Sequence, residues 1–275
     1  MTAPPNGTRR GIPLRALAPN AVTAFALCFG LTGIRFGIAG EWEKAVAAII
    51  IAGVLDGLDG RIARLLKGES RFGAELDSLS DVTAFGVAPA IIVYLWVREG
   101  LPDGSLLQIG WVKYGWLVAL AHAVCCALRL ARFNANIDAS DQPHKSAGFL
   151  TGVPAPAAAG MLMLPLYLWL STDLDIFREP LVVAPWLALV AFLMISNLAT
   201  FSWSAARVRR GVRLGVLAGI AILVGALISA PWPTLSLITI AYVAAIPFSV
   251  RSYARVRRLR AAQSSSPPAP SPDPA

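Results

Sequence analysis

Charge is what this sequence has least of. Asp, Glu, Lys and Arg make up 15% of its 275 residues, against a hydrophobic share of 56%, whereas soluble domains carry about 25% charged residues. That balance excludes an ordinary water-soluble globule and puts the chain in a bilayer. Cysteine is scarce as well. Cys28, Cys125 and Cys126 are odd in number and lie in apolar segments, and two are adjacent, which argues against a disulfide framework and against metal-ligand spacing. They read as packing residues. Histidine is limited to His122 and His144, neither with a spaced metal partner. Connections between apolar runs are short, the longest covering 134–153. No soluble domain is inserted, so the chemistry must sit among the helices or at their ends.

Apolar stretches recur at 22–38, 45–66, 82–97, 116–130, 154–170, 181–200, 214–228 and 235–250. A hydrocarbon core of roughly 30 Å needs about 20 helical residues to cross, so the shorter stretches must borrow from their flanks. The pattern predicts an all-α integral membrane protein of about eight transmembrane helices. An even number of spans puts both termini on one side. All but five of the 24 basic residues then fall on that side, the exceptions being Arg35, Lys44, Arg98, Lys113 and Arg178. Cytoplasmic loops retain such an excess, so both termini are expected in the cytoplasm, with the chain multi-pass in the cell (inner) membrane. The net charge of +8 is spread over every loop of one face instead of forming a single patch, which argues against a nucleic-acid partner. The basic rim also suits anionic lipid.

Three regions are expected: a cytoplasmic N-terminal segment at 1–19, a transmembrane catalytic domain at 20–250, and a tail at 251–275 that is basic and then disordered. No small-residue cleavage pattern follows the first apolar stretch, which is read as a retained span. From 261 onward the sequence is mostly Ser, Pro and Ala and cannot bury enough apolar surface to order itself.

The end of the second apolar stretch is unlike a purely structural span, because Asp56 and Asp59 enter the membrane boundary there. At about 100° per residue they lie about 60° apart on one helical face, with Gly60 and Ala63 beside them. Asp77 and Asp81, at the start of the next span, are about 40° apart. Two acidic pairs on consecutive antiparallel helices can converge on one point. Four carboxylates near low dielectric repel one another unless protons or cations compensate. A divalent cation is the simplest remedy, and oxygen-only ligands suit Mg2+ or Mn2+ better than zinc. The competing structural reading is a pair of interfacial acidic caps neutralised by Arg61, Arg64 or Arg71.

Asp56, Asp59, Gly60, Ala63, Arg64, Gly73, Asp77 and Asp81 fill every defined position of the pattern D-x-x-D-G-x-x-A-R, eight residues, G-x-x-x-D-x-x-x-D. The chain thereby resembles the CDP-alcohol phosphatidyltransferase family. The resemblance implies a helical membrane bundle, commonly a homodimer, with its site open to the cytoplasmic leaflet. It further implies two divalent metals held by Asp56, Asp59, Asp77 and Asp81, with Asp81 as general base. Gly60, Ala63, Arg64 and Gly73 would bind CDP-diacylglycerol. Ser70 resembles a hydroxyl position near the nucleotide in several relatives. Pro19-Asn20 with Thr23 resembles a further element beside the cytidine, although Asn20 could instead cap the first helix.

The elements Arg129-Leu130-Ala131-Arg132-Phe133-Asn134 and Gly152-Val153-Pro154-Ala155-Pro156-Ala157-Ala158-Ala159 look like those of the serine-using bacterial and archaeal subgroup. The expected substrates are therefore CDP-diacylglycerol and L-serine, with CMP released. Glycerol 3-phosphate or an inositol phosphate is the rival alcohol, and an ion transporter the reading from outside the class. Arg129, Arg132 and Asn134 are candidates for the serine site. Arg132 is favoured for the carboxylate, while Arg129 would serve the positive-inside pattern or the phosphate. Asn197 and Thr200 are possible site-lining residues. Glu75 lies roughly opposite Asp77 on its helix. Trp96, Trp111, Trp203 and Trp232 flank spans, where interfacial anchoring accounts for them.

Overall fold

The computed structural model describes residues 14–66, 68, 70–135, 149–201 and 213–264. The chain divides into two compact units, Met1–Leu130 and Ala131–Ala275.

In the first unit, helices α1 (Leu14–Ile38) and α2 (Trp42–Leu66) form a hairpin closed by Gly40, whose φ of 72° lies in the left-handed region that glycine enters without a Cβ penalty. The next helix begins as α3 (Arg71–Asp81), widens into a π-turn at Val82–Val87, and resumes as α4 (Ala88–Gly100). A short α5 (Leu106–Gly110) and a second π-turn (Trp111–Gly115) lead into α6 (Trp116–Ala135). Helix α1 packs on α2, α3, the first π-turn and α4.

Small residues allow that packing. A Cβ on Gly30 would lie 2.8 Å from the Ala84 Cα, and one on Gly33 would lie 3.1 Å from the Ile49 Cδ1. Helices in lipid gain little from hydrophobic exclusion and associate through such close contacts. Ala45, Val46, Ile49 and Ala52 of α2 are buried, as are Ala84, Phe85, Ile92, Val93 and Trp96 across from α1. Trp96 and Trp111 belong to this core, being 0% and 3% exposed. Interfacial anchoring therefore does not describe them. The Trp111 indole N–H donates to the Tyr94 carbonyl (3.0 Å), and the two rings stack.

The second unit contains α7 (Ala155–Leu162), α8 (Leu164–Thr172), α9 (Pro180–Ile195), α10 (Arg213–Ser229) and α11 (Pro231–Ser264). Two three-residue strands, β1 (Phe149–Thr151) and β2 (Ala199–Phe201), pair antiparallel with Leu150 opposite Thr200. The apolar stretch at 181–200 thus outruns its helix, which stops at Ile195 before β2. Gly152, at φ 72°, sits where a Cβ would be 2.7 Å from the Met194 carbonyl oxygen. Its own carbonyl accepts from the buried Thr200 hydroxyl (2.8 Å). Thr200 therefore fastens this strand pair, while Asn197 is exposed.

Among the described residues, five helical segments are long and apolar enough to cross a membrane: Leu17–Ile38, Arg71–Gly100, Leu106–Ala135, Ala155–Thr172 and Pro231–Arg255. Pro180–Ile195 and Leu214–Ser229 are shorter and apolar. Helix α2 has 25 residues, a sufficient length, but its apolar run is broken by Asp56, Asp59, Arg61 and Arg64. The fold is that of an all-α membrane protein. Helix α1 starts at Leu14, ahead of Pro19 and Asn20, and α11 continues to Ser264. Residues 1–13 and 265–275, with Lys67, His144, Lys145 and Trp203, lie outside the described residues.

Gly30→Val should lower the unfolding temperature of the detergent-purified protein by several degrees, the effect of ~1–3 kcal/mol of overpacking. Gly219→Ala, whose new Cβ would meet nothing within 4 Å, should leave it unchanged. Equal behaviour of the two variants would remove the α1 contact as a constraint on the fold.

Candidate active site

The acidic pairs meet. Asp56 and Asp59 project from the last third of α2, and Asp77 and Asp81 from α3. One carboxylate oxygen from each of Asp56, Asp59 and Asp77 lies within 4.8 Å of the others. Asp81 joins them through a side-chain hydrogen bond with Asp56. Two carboxyl groups in contact require a proton or a cation between them. Asp59 is 5% exposed and the other three are half-buried. Hard oxygen donors at this spacing fit a hard divalent cation. The carboxylates form one cluster instead of a path along the spans, which counts against ion transport.

A polar clamp holds the cluster from behind. Thr23, buried on α1, donates to Asp59 Oδ2 at 2.7 Å, with the Pro19 carbonyl 3.1 Å from the same hydroxyl. Ser80 on α3, also buried, donates to the Thr23 carbonyl at 3.2 Å. Three helices are thus joined at the carboxylates, and a hydrogen bond to a charged group contributes about 1.5–3 kcal/mol. Sequence reasoning expected Thr23 beside the nucleotide, and it missed Ser80 altogether. The spacing of three between Ser80 and Asp77 was the available signal, since it puts both on one side of α3.

Around the cluster, Gly60 is exposed and a Cβ there would meet nothing within 4 Å. The α2 backbone is uncovered at this point. The Arg64 Nε donates to the Gly60 carbonyl (2.9 Å), which folds the exposed side chain back onto α2. Ala63 is half-buried. Ser70 is the N-cap of α3 and accepts from the Gly73 N–H at 3.0 Å. A Cβ on Gly73 would stand 2.7 Å from Asn20 Oδ1, so this glycine lets Asn20 lie against the first turn of α3. Asn20 is inside α1 and is no cap for it. Glu75 is exposed.

Helix α6 reaches the same region within the first unit. Cys126 is buried and lies within electrostatic range of both Asp81 and Arg129. Arg129 is half-buried, whereas Arg132 and Asn134, in the last turn of α6 and within the second unit, are exposed.

Comparison with known proteins identifies the family. The family model for CDP-alcohol phosphatidyltransferase matches residues 16–196, and that for CDP-alcohol phosphatidyltransferase 2 matches residues 212–247. The chain is 38% identical over 252 residues to the CDP-diacylglycerol–serine O-phosphatidyltransferase of Mycobacterium tuberculosis, covering 92% of this chain and 84% of that protein. It is 35% identical to the Mycobacterium leprae protein of the same name over 92% of this chain and 80% of the relative. A like-named protein of Methanocaldococcus jannaschii is 38% identical over 48% of this chain and 55% of its own length. With four aspartates converging from two helices beside an open glycine, and a family match over more than half its length, the chain belongs to the CDP-alcohol phosphatidyltransferase family.

Proposed function

We propose that the protein transfers the phosphatidyl group of CDP-diacylglycerol to L-serine and releases CMP. The observation that carries the reading is the convergence of Asp56, Asp59, Asp77 and Asp81 at an opening lined by Gly60 and Arg64. The names of the relatives and the Arg129–Asn134 and Gly152–Ala159 elements select serine among the alcohols.

Asp56, Asp59 and Asp77 would hold a divalent cation, Mg2+ or Mn2+, and Asp81 would complete a two-metal site. Such ions neutralise a pyrophosphate and stabilise charge gathering at phosphorus. The protein's own groups do the rest. Arg64 pairs with the pyrophosphate through its planar guanidinium, and Gly60, Ala63 and Gly73 leave room for the nucleotide, with Asn20 and Ser70 at its edge. Asp81 takes the proton from the serine hydroxyl as that oxygen bonds to the phosphorus bearing diacylglycerol, and the bond from that phosphorus to the CMP oxygen breaks. Serine brings a carboxylate to a site crowded with Asp, so it needs a fixed cation. Arg129, Arg132 and Asn134 receive it. Arg129 is supported by its half-buried place near Cys126 and Arg132 by its subgroup-like sequence. The chain works as a homodimer in the cell membrane with the site on the cytoplasmic side, a reading supported by the asymmetry of Lys and Arg and by the family resemblance.

Purified protein given CDP-diacylglycerol, Mn2+ or Mg2+ and a panel of alcohols should release CMP with serine, and chelation should stop it. Asp56→Ala, Asp59→Ala and Asp77→Ala should each abolish release, because each removes a ligand from a shared cation site. Preference for glycerol 3-phosphate would overturn the serine assignment, and full turnover by a folded Asp variant would overturn the metal site.

Thr23→Val should raise the Mn2+ concentration required for activity by about 10–100-fold, the usual effect of removing an outer partner of a metal ligand. Thr23→Ser should behave as wild type. An effect confined to the KM for CDP-diacylglycerol would instead assign Thr23 to the nucleotide.

Loss of a charge-assisted hydrogen bond corresponds to roughly a ten- to hundredfold rise in KM. That rise should appear for serine, with CDP-diacylglycerol binding little changed, in Arg129→Ala or Arg132→Ala. An unchanged serine KM in both would move the carboxylate site elsewhere.

A further inference from the structure

His122 has no task in the transfer reaction, yet it is 0% exposed in the middle of α6. Its Nε2 lies 3.3 Å from the Phe85 carbonyl oxygen. A carbonyl can only accept, so the ring donates from Nε2, and Nδ1 is left as an acceptor with no hydrogen-bond partner among the described residues. Phe85 is in the π-turn Val82–Val87, immediately after Asp81. In an α-helix its carbonyl would be served by the N–H of residue 89, but that residue is Pro89, which has none. The widened turn, in which the Ala88 N–H bonds back to the Thr83 carbonyl, and the His122 ring are how the protein accommodates this break in an apolar setting.

The turn is held from two directions. On one side Gly30 of α1 brings its backbone against Ala84. On the other, a Cβ on Gly86 would be 2.9 Å from the Cys126 Cβ, one helical turn along α6 from His122. The angular consequence is large. A π-turn contains one residue more than an α-turn, and each residue of helix corresponds to about 100° of rotation. Ile92, Val93 and Trp96 after the turn are fully buried, so that segment is fixed. Relaxation of the turn to α geometry would therefore rotate α3, carrying Asp77 and Asp81 away from Asp56 and Asp59.

We propose that His122 is a positioning residue, which through its hydrogen bond to Phe85 holds the π-turn and thereby aims Asp77 and Asp81 at the carboxylates of α2. The proposal rests on the reading of the four aspartates as the metal and catalytic centre.

The test uses the full-length protein in detergent and three variants: His122→Leu, which removes the donor, His122→Gln, whose side-chain N–H can reach the same carbonyl, and Asp81→Asn. Mn2+ binding without substrate is read from the loss of the free-ion electron paramagnetic resonance signal, beside kcat, the KM for CDP-diacylglycerol and the unfolding temperature. His122→Leu should weaken Mn2+ binding and lower kcat by about 10–100-fold, with the unfolding temperature little changed, and His122→Gln should restore most of both. Wild-type Mn2+ binding and turnover in His122→Leu would overturn the proposal. So would a folded His122→Gln as impaired as the Leu variant, because shape and not the N–H would then be what matters. If His122→Leu does not fold, the Gln variant decides alone, by keeping or losing Mn2+ binding. Asp81→Asn separates the two readings: wild-type turnover there would remove Asp81 as base, while the Mn2+ measurements would still decide His122. A wild-type protein that binds no Mn2+ would remove the metal centre and the proposal with it.

Discussion

Mutual repulsion among four carboxylates at the edge of an apolar medium is the constraint on which this structure turns. Asp56, Asp59, Asp77 and Asp81 come from helices that would separate if only their charges acted. They stay together because α1 is pressed against both α2 and the α3–α4 helix through Gly30 and Gly33, and because Thr23 and Ser80 join the three helices by hydrogen bonds beside the acids. The packing supplies proximity and the polar clamp supplies aim. A hard cation would relieve the repulsion that both impose, so under the proposed function the features that crowd the acids together are also those that would favour metal.

The clamp and the cluster divide the polar groups by burial. Thr23 and Ser80 are buried and have protein partners, whereas Gly60 and Arg64 are exposed on the open side. Under the proposed function, partners behind the aspartates would fix their orientation and groups in front would remain available to substrate, a division expected of a preorganised metal site. Ser70 and Gly73 share both duties. Their hydrogen bond starts α3, and the missing Cβ of Gly73 admits Asn20, so the motif glycine serves a helix-to-helix approach as well as the nucleotide space proposed for it.

How much of this was legible depended on the range of the interaction. The acidic pairs were readable because spacings of three and four residues put side chains on one helical face whatever the tertiary structure. The helical, membrane-bound class followed from composition and the length of the apolar runs. Other features were not readable. Helix α1 begins ahead of Pro19, which lies inside it, and hydropathy does not register where hydrogen bonding starts. The stretch at 181–200 looked like one span, but Ser196 ends the helix and Thr200 turns to Gly152, a contact far away in sequence. Trp96 and Trp111 had the composition of interfacial anchors and the positions of core residues. Hydropathy ranks a residue's affinity for lipid and for protein interior alike, so it cannot tell those places apart.

The same limit hid the π-turn. Val82–Val87 is as apolar as a regular span, and its departure from α geometry comes from a hydrogen-bond requirement, not from hydropathy. The sequence did carry one mark of it, in Pro89, placed four residues after Phe85. Proline inside an apolar run is usually read as a kink, yet here the missing donor is answered by a wider turn and a histidine from another helix. A residue that lacks a metal partner and sits on an apolar face is most simply read as filler, and by spacing alone His122 deserved that reading. What changes it is the accounting of backbone acceptors. Where bulk water is absent every carbonyl needs a named donor, and following the Phe85 carbonyl leads from Pro89 to His122 and then back along the helix to Asp81.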